Sequence, residues 1–377
     1  MDFSYTEEQL MLQDSVQKFV QKSYAFDKRN EIIASEAGYS KEYWQLFAEL
    51  GWLTVPFTEA DGGFGGSAVD LIVMMDEFGR ANLVEPFIPT AILGGGLISA
   101  LASASQKAES LGKLMEGSLQ LACAYAETSS RYNLASVGTS ARVDGDAVVI
   151  NGGKIAVLNG ANADQLLVVV RESGAKIDRE GISVFLIDGN ADGIQKQVYT
   201  TVDGKKAAEL SFDSVSVPAS CRLGVAGAAL PALEAVMDRA IVATSAEAVG
   251  ALEVLLQKTV EYSKTRKQFG SAIGTFQALQ HRMADMFIEC QLARSIVIMA
   301  AMKLDSSAGA IEKTKAVSAA KSRVGRAIEK VGQESIQIHG GIAMTEELDV
   351  GHLFKRVTAL GILFGNSDYH SERFATL

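Results

Sequence analysis

Residues 144–189 read DGDAVVINGGKIAVLNGANADQLLVVVRESGAKIDREGISVFLIDG. Short apolar runs at 147–150, 166–170 and 183–187 are separated by turn dipeptides: Asp144-Gly145, Asn151-Gly152, Asn159-Gly160 and Asp188-Gly189. Asp203-Gly204 continues the series, and Pro218 lies near its end. Asn-Gly and Asp-Gly supply the positive φ that a tight hairpin turn needs. Regular short runs punctuated in this way predict an antiparallel sandwich or barrel.

Outward from this stretch the texture changes on both sides. Upstream, Thr6-Glu7-Glu8-Gln9 has the form of a capping box, with Thr6 as N-cap and Gln9 reaching back. Leu12, Val16 and Phe19 follow at helical spacing, and Trp44, Leu50 and Trp52 close a second helical stretch. Asp61-Gly62-Gly63-Phe64-Gly65-Gly66 reads as a loop, because each glycine costs a helix about 1 kcal/mol. Downstream, Val242, Ser245, Val249, Leu252 and Leu256 recur by three and four, as do Phe276, Leu279, Met283, Met286 and Cys290. That spacing is the seam of packed antiparallel helices. No βαβ alternation supports a doubly wound sheet. The expectation is an α+β chain in three parts: an N-terminal helical domain over 1–120, a central antiparallel β domain over 121–225 and a C-terminal helical bundle over 226–377.

The 377 residues are 48% hydrophobic and 21% charged, which allows a full core and excludes global disorder. No apolar run approaches the ~18 residues that span a bilayer. The opening Met-Asp-Phe-Ser-Tyr-Thr-Glu-Glu is acidic, where a signal peptide begins basic and then turns apolar. A cytoplasmic location without a membrane partner is expected. The net charge of −10, from 35 basic and 45 acidic residues, argues against sequence-independent nucleic-acid binding. Cys123, Cys221 and Cys290 stand far apart, and His281, His339, His352 and His370 lack HxH or HExxH spacing. Neither a disulfide framework nor a metal site is expected.

Three local patterns carry chemistry. In Arg266-Lys267-Gln268-Phe269-Gly270, followed by Gln277, a guanidinium beside an aromatic could grip a pyrophosphate and stack on a purine, or form a solvated basic helix end. In Gln337-Ile338-His339-Gly340-Gly341 the glycine pair is a helix stop or a place where backbone approaches a ligand. Ala124-Tyr125-Ala126-Glu127-Thr128 opens the β region.

Taken together with MDFSYTEEQ, LFAELGWLTVPFTEADGGFGG, EYSKTRKQFGSAIGTFQALQHRMADM and QESIQIHGGIAMTEE, in that order and spacing, the whole chain resembles an acyl-CoA dehydrogenase. The resemblance implies a C-terminal four-helix bundle, dimers or dimers of dimers, FAD as cofactor, and α,β-dehydrogenation of an acyl-CoA thioester. It also implies electron-transfer flavoprotein as electron acceptor. In that family a carboxylate removes the α-proton while the β-hydride passes to flavin N5, and hydrogen bonds to the thioester carbonyl acidify the α-carbon.

The sequence departs from the family pattern at telling positions. The family's I-Y-E-G-T segment reads Ile362-Leu363-Phe364-Gly365-Asn366, so Phe364 stands at the usual glutamate base and Asn366 at the threonine. The E-P-x-x-G-S-D segment reads Glu127-Thr128-Ser129-Ser130-Arg131-Tyr132-Asn133, with Arg131-Tyr132 replacing Gly-Ser. The K-x-W-I-T-N-G segment reads Lys154-Ile155-Ala156-Val157-Leu158-Asn159-Gly160, with Ala156 for the tryptophan and Leu158 for the threonine. In that family these positions face the isoalloxazine. Arg266, Phe269, Gln277, Gln337, Gly340 and Gly341, which face the ADP half of a neighbour's FAD, match. The pattern resembles the small subunit of pimeloyl-CoA dehydrogenase-type heteromeric enzymes, relatives of which act on fatty or steroid side-chain thioesters. It implies a second, catalytically complete subunit in an α₂β₂ assembly. Asp238-Arg239 resembles a base-bearing pair of some family members, and a self-sufficient enzyme using Asp238, with Glu247 as a further candidate base, is the alternative. Asp238 lies about two residues off the usual spacing from Arg266, and such a slip turns a helix by roughly 200°. A structural partner that binds no flavin is the other alternative.

Overall fold

The computed structural model describes residues 5–377; the first four residues of the acidic opening lie outside it. In chain order the helices are α1 (Glu7–Ser23), α2 (Phe26–Ala34), α3 (Lys41–Glu49), α4 (Ala68–Arg80), α5 (Gly96–Leu101) and α6 (Ala104–Met115), then α7 (Leu230–Thr265), α8 (Gln277–Asp305), α9 (Ala310–His339), α10 (Asp349–Ile362) and α11 (Ser367–Thr376). Between them run β1 (Leu121–Ala124), β2 (Ser140–Asp144), β3 (Ala147–Leu158), β4 (Gln165–Arg171), β5 (Ile182–Asp188), β6 (Ile194–Thr200), β7 (Lys206–Pro218) and β8 (Arg222–Leu223). The order helical, β, helical is the one expected. Thr6 caps α1 in a full capping box with Gln9.

The chain divides into two compact units, Met1–Glu31, Ser67–Leu83 and Ile241–Leu377 in one, Ile32–Gly66 and Val84–Ala240 in the other. In the first unit α4 crosses α7 at two glycines. A Cβ on Gly79 would stand 1.8 Å from the Glu247 carbonyl oxygen, and one on Gly250 2.0 Å from that of Asp76. Residues 241–252 of α7 are buried on every face. The three-and-four spacing of Val242, Val249 and Leu252 is therefore not a one-sided seam, and a helix apolar all round is an interior helix. This also corrects the expectation about spans. The helix Leu230–Thr265 is long and apolar enough to cross a membrane, but 78% of its most apolar stretch is buried inside the protein. Only part of the expected seam is core: Met286 and Cys290 of α8 are buried, whereas Phe276, the N-cap before α8, is 37% exposed.

Ionic groups knit the same unit together. Arg294 binds Asp76 at 2.9 Å and Glu253 at 2.6 Å, and Arg80 binds Asp76 at 3.2 Å and also Glu253. Arg356 of α10 grips Glu247 of α7 through two buried hydrogen bonds of 2.7 and 2.9 Å. Removing one partner of such a pair would strand a buried charge at a cost of about 3–5 kcal/mol.

The second unit is built on one eight-stranded sheet in the order β6-β7-β3-β2-β4-β5-β8, with β1 beside β4. The sheet is mixed, not antiparallel as expected: β1 runs parallel to β4, and β2 meets β4 parallel at Ser140–Arg171. Turn dipeptides specify only the two strands they join. β1 and β4 are separated by the whole β2–β3 hairpin, long enough for the chain to return in the same direction. Asp144-Gly145 does turn between β2 and β3. Asn151-Gly152 does not turn; it forms a bulge inside β3, with Gly152 at φ 143°. Inward residues of β3, β4, β5 and β7, among them Val148, Val168, Phe185 and Leu210, gather in one cluster, so the sheet curls around its own core.

Candidate active site

The segment 125–133 leads from β1 into a loop whose anchor is Glu127. Its carboxylate accepts from the backbone N–H of Gly138 (2.8 Å) and Thr139 (2.9 Å) and from Lys154 Nζ (2.7 Å). Lys154 also donates to the Tyr125 carbonyl at 3.3 Å, and its side chain is fully enclosed. Burial pushes Glu127 upward, but the Lys154 charge and these hydrogen bonds outweigh it and hold the carboxyl below its ordinary value. At Lys154 burial wins and lowers the pKa against the pull of Glu127. The pair joins two motifs that are distant in sequence, and it borders a polar cleft of about 520 Å³.

The replaced positions sit in unusual backbone. Arg131 is exposed at φ 48°, and Ala156 is exposed at φ 52° where β3 slips register against β7. Left-handed geometry is uncommon outside glycine, asparagine and aspartate. Leu158 is half-buried, and the following Asn159 anchors the strand end on Gln120 Oε1 at 3.0 Å.

The segment 363–366 is a turn between α10 and α11. Phe364 has φ 61° and is buried, Gly365 has φ 119°, and Asn366 caps α11 by accepting from the Tyr369 N–H at 3.0 Å. His370 Nε2 donates to the Phe364 carbonyl at 3.0 Å. Burial lowers His370 to about 4, so the ring is neutral in ordinary conditions, with its proton on Nε2. Lys321 Nζ donates to the Leu360 carbonyl at the end of α10. The side chain at position 364 cannot take a proton.

The two other candidate bases differ from each other. Asp238 is 4% exposed on α7, and its neighbour Arg239 donates to the Gly66 carbonyl at 2.9 Å. Glu247 is committed to Arg356, as described above.

The ADP-side positions are all solvent-facing in the first unit. Arg266 ends α7, with its N–H on the Tyr262 carbonyl at 2.8 Å. A small hairpin follows, with Phe269 at its tip, φ 55° and 93% exposed, edge-on to Phe276. Gln277 opens α8. Gln337 lies in the last turn of α9, and a Cβ on Gly340 or Gly341 would meet nothing within 4 Å. Sequence reading missed what joins these two motifs: Tyr262 stacks on His339 at 4.5 Å between ring centroids, bringing the ends of α7 and α9 together. The available signal was Tyr262 itself, one helical turn before Arg266. His339 is therefore a buried packing residue, its Nδ1 2.8 Å from the Ser335 carbonyl. An exposed guanidinium, an exposed aromatic ring and bare glycine backbone fit the pyrophosphate and ring of an ADP moiety.

Models of the acyl-CoA dehydrogenase N-terminal, middle and C-terminal domains match residues 6–118, 122–215 and 222–376. The acyl-CoA dehydrogenase IpdE2 of Mycobacterium tuberculosis is 31% identical over 353 residues, covering 93% of this chain and 91% of its own. A solved structure described as a variant of the Tcur3481-Tcur3483 steroid ACAD is 27% identical, with a TM-score of 0.87 over 98% of this chain and 97% of that one. An FAD complex of PigA is 25% identical, with a TM-score of 0.92 over 100% and 98%. The chain belongs to the acyl-CoA dehydrogenase family of FAD-dependent oxidoreductases.

Proposed function

We propose that this chain is the non-catalytic half of a heteromeric acyl-CoA dehydrogenase, lending the ADP-binding side of a flavin site whose isoalloxazine side and base belong to a second chain. The observation that supports the reading is that Phe364, which the motif order sets at the family's base position, is buried and non-ionisable, while Arg266, Phe269, Gln277, Gln337, Gly340 and Gly341 face outward. When bound, FAD supplies the hydride acceptor for dehydrogenation of the thioester. Arg266 holds pyrophosphate oxygens through its planar fork, Phe269 covers the adenine end, and Gly340–Gly341 let backbone approach it. Arg131, Ala156 and Leu158 give the isoalloxazine neither the small residues, the indole nor the hydroxyl of the family pattern.

Exposed apolar side chains support an assembled state. On α8 Phe287, Ile288 and Leu292 are 54%, 53% and 49% exposed, and such a face suits a protein partner. The expected assembly is α₂β₂ in a cytoplasmic setting, with electron-transfer flavoprotein as acceptor. The substrate class is an acyl-CoA thioester. A steroid-derived acyl group is the specific candidate, because one relative is described as a steroid ACAD.

The test is to express the chain alone and with a catalytically complete acyl-CoA dehydrogenase chain from its gene neighbourhood. Colourless protein alone and yellow, active protein together are expected. Yellow, active protein alone that loses roughly 10³-fold in kcat on Asp238→Asn would establish the self-sufficient reading instead. A complex without flavin would establish a structural partner.

A further inference from the structure

The polar cleft beside Glu127 and Lys154 lies wholly within the second unit. Its volume of about 520 Å³ falls within the ~300–1,000 Å³ of ordinary small-molecule sites. Arg131, Tyr132, Ala156 and Leu158 do not line it.

Strand register builds its main wall. Gln195 of β6 stands opposite Ser211 of β7, and Gln197 stands opposite Glu209. Directly opposed residues share a face, so these four side chains point the same way. Lys196, between the glutamines, is paired with the core residue Leu210 and so lies on the other face. Strand spacing and the two-residue repeat set two amides, a hydroxyl and a carboxylate at the corners of a rectangle of about 5 by 7 Å. All four are exposed, and Gln195, Gln197 and Ser211 make no side-chain hydrogen bond to another described residue.

The next strand supplies the floor. Gly153 of β3 pairs with Ser211 on the same face and brings no side chain. The segment 126–129 forms the opposite side. It is fastened to β3 by the Ile155 N–H on the Ala126 carbonyl at 2.9 Å, and Thr128 adds a hydroxyl. Of the charged lining residues, Glu127 and Lys154 are paired at 2.7 Å, Lys196 lies on the core-facing side, and Glu209 stands in the array. A phosphate or carboxylate finds no free cation among them, whereas hydroxyl groups find both donors and acceptors.

The geometry points to a binding site for a neutral sugar, a pyranose lying over Gly153. Its hydroxyls donate to the Glu209 carboxylate and to the amide oxygens of Gln195 and Gln197, and its oxygens accept from the two amide N–H groups. The Thr128 hydroxyl meets its far edge. A ring with a hydroxyl on nearly every carbon satisfies several corners of the array at once, which a ligand with one polar group cannot do. The site does not depend on the proposed subunit role, and occupancy is read without turnover.

Saturation-transfer NMR titrations on the full chain, alone or in its complex, test this with D-glucose, glucose 6-phosphate and cyclohexanol. The second adds a phosphate charge, and the third keeps a six-membered ring with a single hydroxyl. Saturable binding of glucose is expected, with both controls about tenfold weaker or worse. Gly153→Leu fills the floor without removing a polar group, and Glu209→Ala removes the carboxylate. Each should weaken glucose binding about tenfold. Equal or tighter binding of glucose 6-phosphate would mean a phosphate site, and equal binding of cyclohexanol an unspecific surface. Either result, or no saturable binding of glucose, would overturn the assignment. The ligand series needs no variant, so it decides the matter even if Gly153→Leu does not fold. Undiminished glucose binding to a folded Gly153→Leu protein would put the sugar elsewhere and sink the proposal.

Discussion

Lys321 shows at the scale of one residue how a buried charge shapes stability. It is 1% exposed on α9, and burial, with repulsion from Arg356 second, lowers its pKa to about 7. An unfolded lysine titrates near ~10.4. Between these values the unfolded chain binds the proton and the folded chain releases it, so stability rises with pH across that window. The penalty of burying Lys321 is full below the folded value and absent above the unfolded one. Each unit is worth ~1.4 kcal/mol, so the effect amounts to a few kcal/mol. Denaturant titrations should therefore show the wild-type protein gaining stability between neutral and alkaline pH relative to Lys321→Met. A pH-independent difference between the two would mean that Lys321 stays charged when folded. The Leu360 carbonyl can accept from either protonation state, which explains how the contact survives such a titration.

At the scale of elements, the α4–α7 crossing is set by two glycines. Alanine in place of Gly79 gains about 1 kcal/mol of helix propensity. It also places a methyl 1.8 Å from the backbone oxygen of Glu247, where no flexible side chain can give way. Overpacking of a helix contact costs about 1–3 kcal/mol or more, and here it outweighs the propensity. Gly79→Ala is expected to lower the unfolding free energy by about 2 kcal/mol. Gly112 on α6 is the control: a Cβ there meets nothing within 4 Å, so Gly112→Ala should be neutral or stabilising by up to ~1 kcal/mol. If both substitutions behaved alike, the close approach would not be what fixes the crossing.

For the whole molecule, the proposal makes a count. An assembly in which this chain contributes only ADP-side residues holds one FAD for each pair of unlike chains. Native mass and flavin-to-protein ratio on the co-expressed complex should give α₂β₂ with two FAD. One FAD per copy of this chain in a homotetramer would show that Arg131, Ala156 and Leu158 still accept an isoalloxazine. The exposed α8 residues make the interface prediction specific. α7 is already filled on all sides over 241–252 and has little apolar surface to offer there.

Local chemistry made much of this legible from the sequence alone. The Thr6 capping box and the Asp144-Gly145 turn depend on contacts a few residues apart, so neighbouring residue types determine them. Motif order likewise singled out Phe364, where residue identity departs from the family pattern, and the ADP-side residues, where it matches. Tertiary structure alone decided the rest. The parallel pairing of β1 with β4 is a matter of which strands the chain brings together after a hairpin, and no turn dipeptide encodes that. The Asn151-Gly152 bulge uses the same positive φ as a turn, and only the register of β7 selects the bulge. Burial of α7 on every face over 241–252, the Tyr262–His339 stack and the Glu127–Lys154 pair join residues from different elements. A sequence displays each partner's chemistry, but only the packed backbone supplies the distance at which two partners meet.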